Sequence, residues 1–448
     1  MKVSAVLLHA FGARYDLPAP LWLFLLGAGA VVFISFLLVL QRPVARQLSS
    51  GIDVPDPHRG PAWLQWSALV LGLLLAAAGL FGSQSIPDNI LPTAFWLVFW
   101  IAVPISIAIA GNYWPYISPL NLIARLAGPR ARRSYPERWG FWPAAVLFFL
   151  FACGELIFNV VATTTMNTAL IMLGYAVLTA VMAAIFGAET WLVRGEVFSV
   201  LFATWGRLGW FRFGAPGRRG FFGGLERPFT GSVSRLTFVL LLLVSVSFDG
   251  LLATPAWKSF AGALPVGLRQ VRGEFAWGYA LLELAVFIGL VGLIWAVFGA
   301  FAAAVRGAGR LDARLIDVVA GLVPSLVPIA FGYLVAHNFD YLAINGQLLI
   351  HQISDPLGTG QLNLFGTADY EPNINLIPNS FVWYFQILLI IAVHVVAVVL
   401  AHGYLGRTAR TQQQGQRAEW PWIAAMVGYT MSSLWLLAQP IVQEGTKG

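Results

Sequence analysis

Charge is scarce in this sequence. Only 10% of its 448 residues are Asp, Glu, Lys or Arg, against roughly 25% in a soluble globular chain, and that excludes an ordinary water-soluble enzyme. Cysteine is nearly absent. The single Cys153 excludes an internal disulfide, a cysteine-built zinc site and an iron–sulfur cluster; in its apolar run it reads as a small buried core residue. Lysine is rare as well, with Lys2, Lys258 and Lys447 the only three among 27 basic residues. No glycine–lysine phosphate loop, G-x-S-x-G elbow, H-E-x-x-H helix or C-x-x-C-H haem attachment occurs. Those absences argue against an ATPase, an α/β-hydrolase and a c-type cytochrome.

What is abundant is apolar: 58% of the residues. A helix needs about 20 mostly apolar residues to cross a bilayer. Ten runs qualify: Leu21–Leu40, Ala62–Phe81, Leu91–Ala110, Trp139–Asn159, Thr164–Phe186, Leu236–Ala256, Trp277–Val305, Ile316–His337, Ser380–Tyr404 and Trp420–Gln439. Tryptophan or tyrosine flanks several of them, as at Trp63, Trp139, Trp277, Trp383 and Trp420, which suits the headgroup level. The runs are too long and too uniform for barrel strands. The expectation is an all-α polytopic membrane protein forming one helical domain over 1–448.

The basic residues orient it. The odd-numbered connections carry 21 of the 27, all arginine, and the other side carries Lys2, Arg14, Lys258, Arg269, Arg272 and Lys447. Positively charged loops favour the cytoplasmic side, so the 21-residue side is expected to be cytoplasmic and both termini outside. The same distribution argues against nucleic acid as a partner, since the charge is spread over short loops and gathers in no patch. Met1–Gly12 has a lysine and a brief apolar run without a convincing cleavage site and reads as a retained outer tail. Residues 187–235 form the longest cytoplasmic connection. Its Trp/Phe/Leu residues interleaved with Arg194, Arg207 and Arg212 suggest an amphipathic helix in the interface over Thr190–Phe213, with a Gly/Arg-rich loop at Gly214–Gly224. Residues 338–379 read as an outer cap, irregular over Asp355–Asn379.

Ionisable residues inside spans are costly and are functional candidates by default. At about 1.5 Å per residue, Glu155 and Asp249 fall past the midplane toward the outside and Glu283 lies roughly 10 Å below the outer end of its span. His394 sits near the middle. If the eighth span continues as a helix past His337, then Tyr333, His337, Asp340, Gln347 and His351 share a face. His402 lies near the cytoplasmic rim. Three readings of this set stand side by side: structural hydrogen bonding between helices, a metal site, or a b-type haem. The metal site would draw on His337 and His394 with carboxylates from Asp249, Glu283 or Glu155, a mixed N/O set that suits zinc, manganese or iron, with Glu283 or Asp249 as base. The haem would take His337 with His394 or His402 as axial ligands.

The segments HAFGARYDLPAPLWLF (His9–Phe24), GNYWPYISPLNLIARL (Gly111–Leu126), FGAETWLVRGEVFSVLFATWGRL (Phe186–Leu208), SFDGLLATPAW (Ser247–Trp257), SLVPIAFGYLVAHNFDYLAINGQLL (Ser325–Leu349), SDPLGTG, VWYFQ and VLAHGY together resemble the membrane-bound fenitrothion hydrolases of bacteria. The resemblance runs through nearly the whole chain in order. Ala10 departs from the family's usual glycine, and Asn338 and Asp340 stand where Tyr and Ser are usual. The resemblance implies a bacterial cytoplasmic-membrane protein that cleaves organophosphorus triesters at the aryl P–O bond, with a small apolar substrate reaching the site from the bilayer. It brings no catalytic residues with it. His9, Arg14 and Asp16 share the outer side with the polar cluster and read either as a closure over it or as an N-terminal cap held by an Arg–Asp pair. Two other classes use the same buried groups: a small-solute transporter or channel, to which Pro104, Pro324 and Pro328 inside spans lend themselves, and a haem- or metal-bearing subunit working with an additional membrane subunit.

Overall fold

The computed structural model describes residues 20–40, 60–214, 220–265, 268 and 276–443, with side chains to residue 438. The regular elements among those residues are helices, with no strand. Ten helices are long and apolar enough to cross a membrane. We label them α1 (Leu21–Val39), α2 (Ala62–Phe81), α3 (Ile90–Ala110), α4 (Glu137–Leu156), α5 (Thr165–Phe186), α6 (Val233–Leu252), α7 (Trp277–Gly309), α8 (Leu315–Asn345), α9 (Asn379–Thr408) and α10 (Gln412–Ala438). Their outward faces carry large apolar side chains, such as Leu71 and Leu74 on α2 and Leu281, Ile288 and Leu293 on α7. Water would penalise such a surface and lipid does not. The protein is a multi-pass membrane protein.

Where the sequence reading has one helical domain, the chain gathers into two compact units. The first draws on Val54–Phe221 and Asn338–Pro378, and so holds α2 to α5 and the end of α8. The second draws on Phe11–Asp53, Phe222–His337 and Asn379–Gly448, and so holds α1, α6, α7, most of α8, α9 and α10.

Aromatic rings fill the first unit. Phe99, Trp100, Phe151 and Phe202 surround Phe198, with ring centroids 4.7–6.2 Å apart. Phe198 belongs to the short helix Val197–Trp205, in which eight of nine residues are buried. The expected interfacial helix is therefore replaced by two short helices, Ala188–Arg194 and Val197–Trp205, the second sunk in the unit's core. Its reason is Glu196, which caps the helix and is itself fully buried. Arg207, which lends the segment its amphipathic look, is also buried.

Two spans depart from regular α-helix. In α3, Thr93–Ala102 is wound as a π-helix, and Val103 N–H reaches back five residues to the Val98 carbonyl. Pro104 follows, where a missing N–H makes a change of register easy. In α8, Leu315–Leu322 and Leu326–Asn345 are separated by a tight turn at Val323–Ser325. Pro324 cannot donate, and Ser325 Oγ bonds the Leu322 carbonyl at 2.7 Å, so the break is satisfied locally. The helix then runs past His337 to Asn345, as its polar continuation allows, and stops at the turn around Gly346 and Gln347. Leu348–Ser354 forms a separate short helix, so the proposed common face does not extend to Gln347 and His351.

In the second unit Tyr333 and Ala336 of α8 pack with Ala28 of α1, Trp383, Ile387 and Ile390 of α9, and Leu434, Leu437 and Ala438 of α10. This cluster fixes the face of α8 that carries the polar residues considered next.

Candidate functional site

Asp249 and His337 meet. His337 Nε2 lies 2.6 Å from Asp249 Oδ2, and both side chains keep partial exposure, 15% and 26%. Asp249 sits in the last turn of α6, where Gly250 faces α8: a Cβ at Gly250 would overlap the Tyr333 hydroxyl. The glycine thus lets α6 approach α8 closely enough for the pair to form. One turn before His337, the Tyr333 ring stacks on the imidazole at 6.2 Å between centroids. Tyr333 is 1% exposed and its hydroxyl, though buried, has no hydrogen-bond partner among the described residues. A buried unpaired hydroxyl is costly, and it stands beside a carboxylate–imidazole pair.

Around this centre lies a second tier of polar side chains in the same unit. Ser247, two residues before Asp249, shares a 3.0 Å hydrogen bond with the Tyr429 hydroxyl of α10. The Tyr429 ring lies 6.4 Å from the His394 ring of α9. His394 Nδ1 is 2.7 Å from the Ile390 carbonyl. A carbonyl only accepts, so Nδ1 carries the hydrogen and Nε2 keeps a lone pair, buried and without a donor among the described residues. Glu283 of α7 is buried and hydrogen-bonded to Tyr279, whose hydroxyl accepts from Trp257 Nε1 at 2.9 Å.

The remaining candidates go elsewhere. Glu155 belongs to the first unit, where Trp100 Nε1 donates to it at 2.6 Å. Asp340 is buried in that unit and has no ion-pair partner among the described residues. His351 Nε2 lies 3.1 Å from the Pro87 carbonyl. His402 Nδ1 is paired at 2.9 Å with Glu419 of α10, and both are buried. His9 and Asp16 lie outside the described residues.

The expected metal set is not assembled. Among the described residues no group of three or more His, Cys, Asp or Glu is disposed to hold a metal ion. Glu155 accepts from Trp100, His394 Nδ1 is bonded to the Ile390 carbonyl, and His337 Nε2 is bonded to Asp249. Of the histidines considered as haem ligands, His337 addresses Asp249 through Nε2 and His402 addresses Glu419 through Nδ1.

Sequence reasoning overlooked two buried acids. Glu419 stands one residue before the expected tenth span, inside α10, and is buried. Glu196 accepts from the Tyr175 hydroxyl at 2.6 Å, from Phe198 and Ser199 N–H at 3.0 and 2.7 Å, and from Ser199 Oγ at 2.6 Å. Burial pushes its pKa above the usual glutamate range, and these hydrogen bonds pull it partly back. With every lone pair in use, Glu196 is a structural fastener. A Glu three residues before a hydroxyl-bearing Ser at a helix start was the available signal.

Comparison of the chain with family models, with curated proteins and with solved structures finds no match.

Proposed function

We propose that this protein is an integral hydrolase of the bacterial cytoplasmic membrane, with both termini outside, that cleaves apolar phosphotriester-like esters drawn from the bilayer. The observation that carries the reading is the 2.6 Å contact between Asp249 and His337 beside the unsatisfied hydroxyl of Tyr333. A carboxylate bound to an imidazole orients the ring and stabilises its protonated form. His337 can then take a proton from water while the water oxygen attacks phosphorus. As the new P–O bond forms, the aryl P–O bond breaks and the electron pair leaves with the aryloxide. The proton held by His337 passes to that leaving group or to solvent. Negative charge builds on the phosphoryl oxygen during attack, and a preorganised hydroxyl donor such as Tyr333 suits it. No metal step is part of this scheme. The resemblance to fenitrothion hydrolases supports the substrate class, and the segments that carry it include both Ser247–Trp257 and Ser325–Leu349.

A second reading, proton-coupled movement of a small solute, has its own observation in the broken α8, because interrupted spans recur where transporters bind their cargo. Purified protein in liposomes separates the two. Release of nitrophenol from a nitrophenyl phosphotriester, reduced about 10²–10⁴-fold in His337→Ala as for loss of a general base, supports hydrolysis. Solute uptake without nitrophenol release supports transport and overturns it.

A further inference from the structure

The segment 351–360, part of the first unit, concentrates unsatisfied acceptors in a way the proposed reaction does not use. Gln352 is fully buried and Asp355 is 6% exposed. Gln352 Nε2 donates to the Pro87 carbonyl at 2.7 Å, and its Oε1 is buried with no partner among the described residues. His351 Nε2 addresses the same carbonyl at 3.1 Å. Since that oxygen only accepts, Nε2 carries the hydrogen and Nδ1 presents a lone pair, again buried with no partner among the described residues. Asp355 Oδ2 takes the Gly360 N–H at 2.5 Å, while Oδ1 is buried and has no partner among those residues. Thus three side chains within five residues each spend one polar atom on the backbone and leave one acceptor over.

The arrangement is built tightly. His351 and Gln352 converge on one carbonyl, and Gln352 and Asp355 are one helical turn apart and so neighbours on the helix surface. Segment 82–90 is laced to them: Ser83 N–H bonds the Leu357 carbonyl at 2.7 Å, and Ile90 N–H bonds the Pro356 carbonyl. Gly358 has φ +63° and lies against the Asp88 backbone, where a Cβ would collide. Three buried acceptors with no donor among the described residues thus sit within five residues at the carbonyl-rich end of the helix Leu348–Ser354, and each calls for a cation or a donor.

The geometry points to a small-cation site made by His351 Nδ1, Gln352 Oε1 and Asp355 Oδ1. One imidazole with an amide and a carboxylate oxygen is a mixture that manganese or zinc accepts, and the all-oxygen cations calcium and magnesium take it less readily. Its place is structural: the ion ties 351–360 and 82–90 into one piece.

The test uses full-length protein in detergent, freed of metal by EDTA. Thermal unfolding is followed with MnCl2, ZnCl2, CaCl2 or MgCl2. Manganese or zinc should raise Tm in a concentration-dependent way, by about 1–2 °C at tenfold excess over Kd. Asp355→Asn should lose that shift while its metal-free Tm stays near wild type, because the Asn oxygen still accepts from Gly360. Electron spin echo on the Mn²⁺ form should show imidazole nitrogen coupling, lost in His351→Gln. A wild-type protein indifferent to all four cations overturns the proposal, the acceptors then being satisfied by water. Undiminished shifts in both variants, or a response to calcium and magnesium alone, overturn it as well.

Discussion

Replacing Glu196 by Gln tests how the first unit is held together. The carboxylate accepts four hydrogen bonds, two on each oxygen: Tyr175 hydroxyl and Phe198 N–H on Oε1, Ser199 N–H and Oγ on Oε2. A Gln side chain keeps one oxygen but sets its amide N–H₂ against whichever donors the other met. Two bonds to a charged acceptor, each worth about 1.5–3 kcal/mol, are lost. Burying a neutral group in place of an anion offsets part of this, leaving a net cost of about 2–4 kcal/mol. Tyr175→Phe removes one of these donors and also leaves Val197 N–H without the hydroxyl it donates to at 3.0 Å, so it should cost about 1.5–3 kcal/mol. Burial raises the Glu196 pKa in the folded state. The folded protein therefore binds this proton more tightly than the unfolded chain. The associated stability is fully present below the ordinary glutamate value of about 4.3 and is lost as pH rises through the raised folded value. Tm measured by tryptophan fluorescence in detergent should fall below wild type in both variants, and Glu196→Gln should lose the fall in Tm over that pH window. A Glu196→Gln protein as stable as wild type would refute the fastener role.

Other perturbations have equally definite outcomes. Tyr333→Phe should leave stability unchanged or slightly higher, since the hydroxyl it removes is buried and unpaired, yet should slow triester cleavage about 10²-fold if that hydroxyl steadies the phosphoryl oxygen; an unchanged rate removes Tyr333 from the site. Gly250→Ala forces a methyl into the Tyr333 hydroxyl and should cost about 1–3 kcal/mol in a Tm measurement while weakening activity, and a neutral result would mean that α6 need not approach α8 so closely. Glu419→Ala leaves His402 buried beside an empty place and should destabilise by about 3–5 kcal/mol in the same melt, with the triester activity of the surviving folded fraction intact.

The spans were legible because a bilayer imposes a length and an apolarity that few other settings demand: all ten runs recur as helices, Ala62–Phe81 with the same bounds. Asp249 and His337 were each recognisable as costly intramembrane groups, but their pairing was not, since 88 positions separate them and no local pattern records which helices adjoin. The same gap explains Glu155, placed with the histidines by depth alone although Trp100 holds it. The buried helix Val197–Trp205 was misread because Arg194, Arg207 and Arg212 suggest an exposed polar face, and Arg207 is in fact buried. Pro324 was visible as a breaker; that Ser325 would satisfy the broken turn was not.

The central claim, that Asp249 and His337 work as one catalytic unit, is tested most directly by a double-mutant cycle on triester hydrolysis in reconstituted protein. Groups that act as a unit are strongly non-additive: once one is gone, losing the other changes little. Wild type, Asp249→Asn, His337→Ala and the double variant should be assayed together, each with a melt to show assembly. The account expects His337→Ala to lose about 10²–10⁴-fold in kcat, Asp249→Asn to lose a large part of that, and the double variant to be no slower than His337→Ala. Losses that multiply, or a folded His337→Ala protein that cleaves the triester at the wild-type rate, would contradict it.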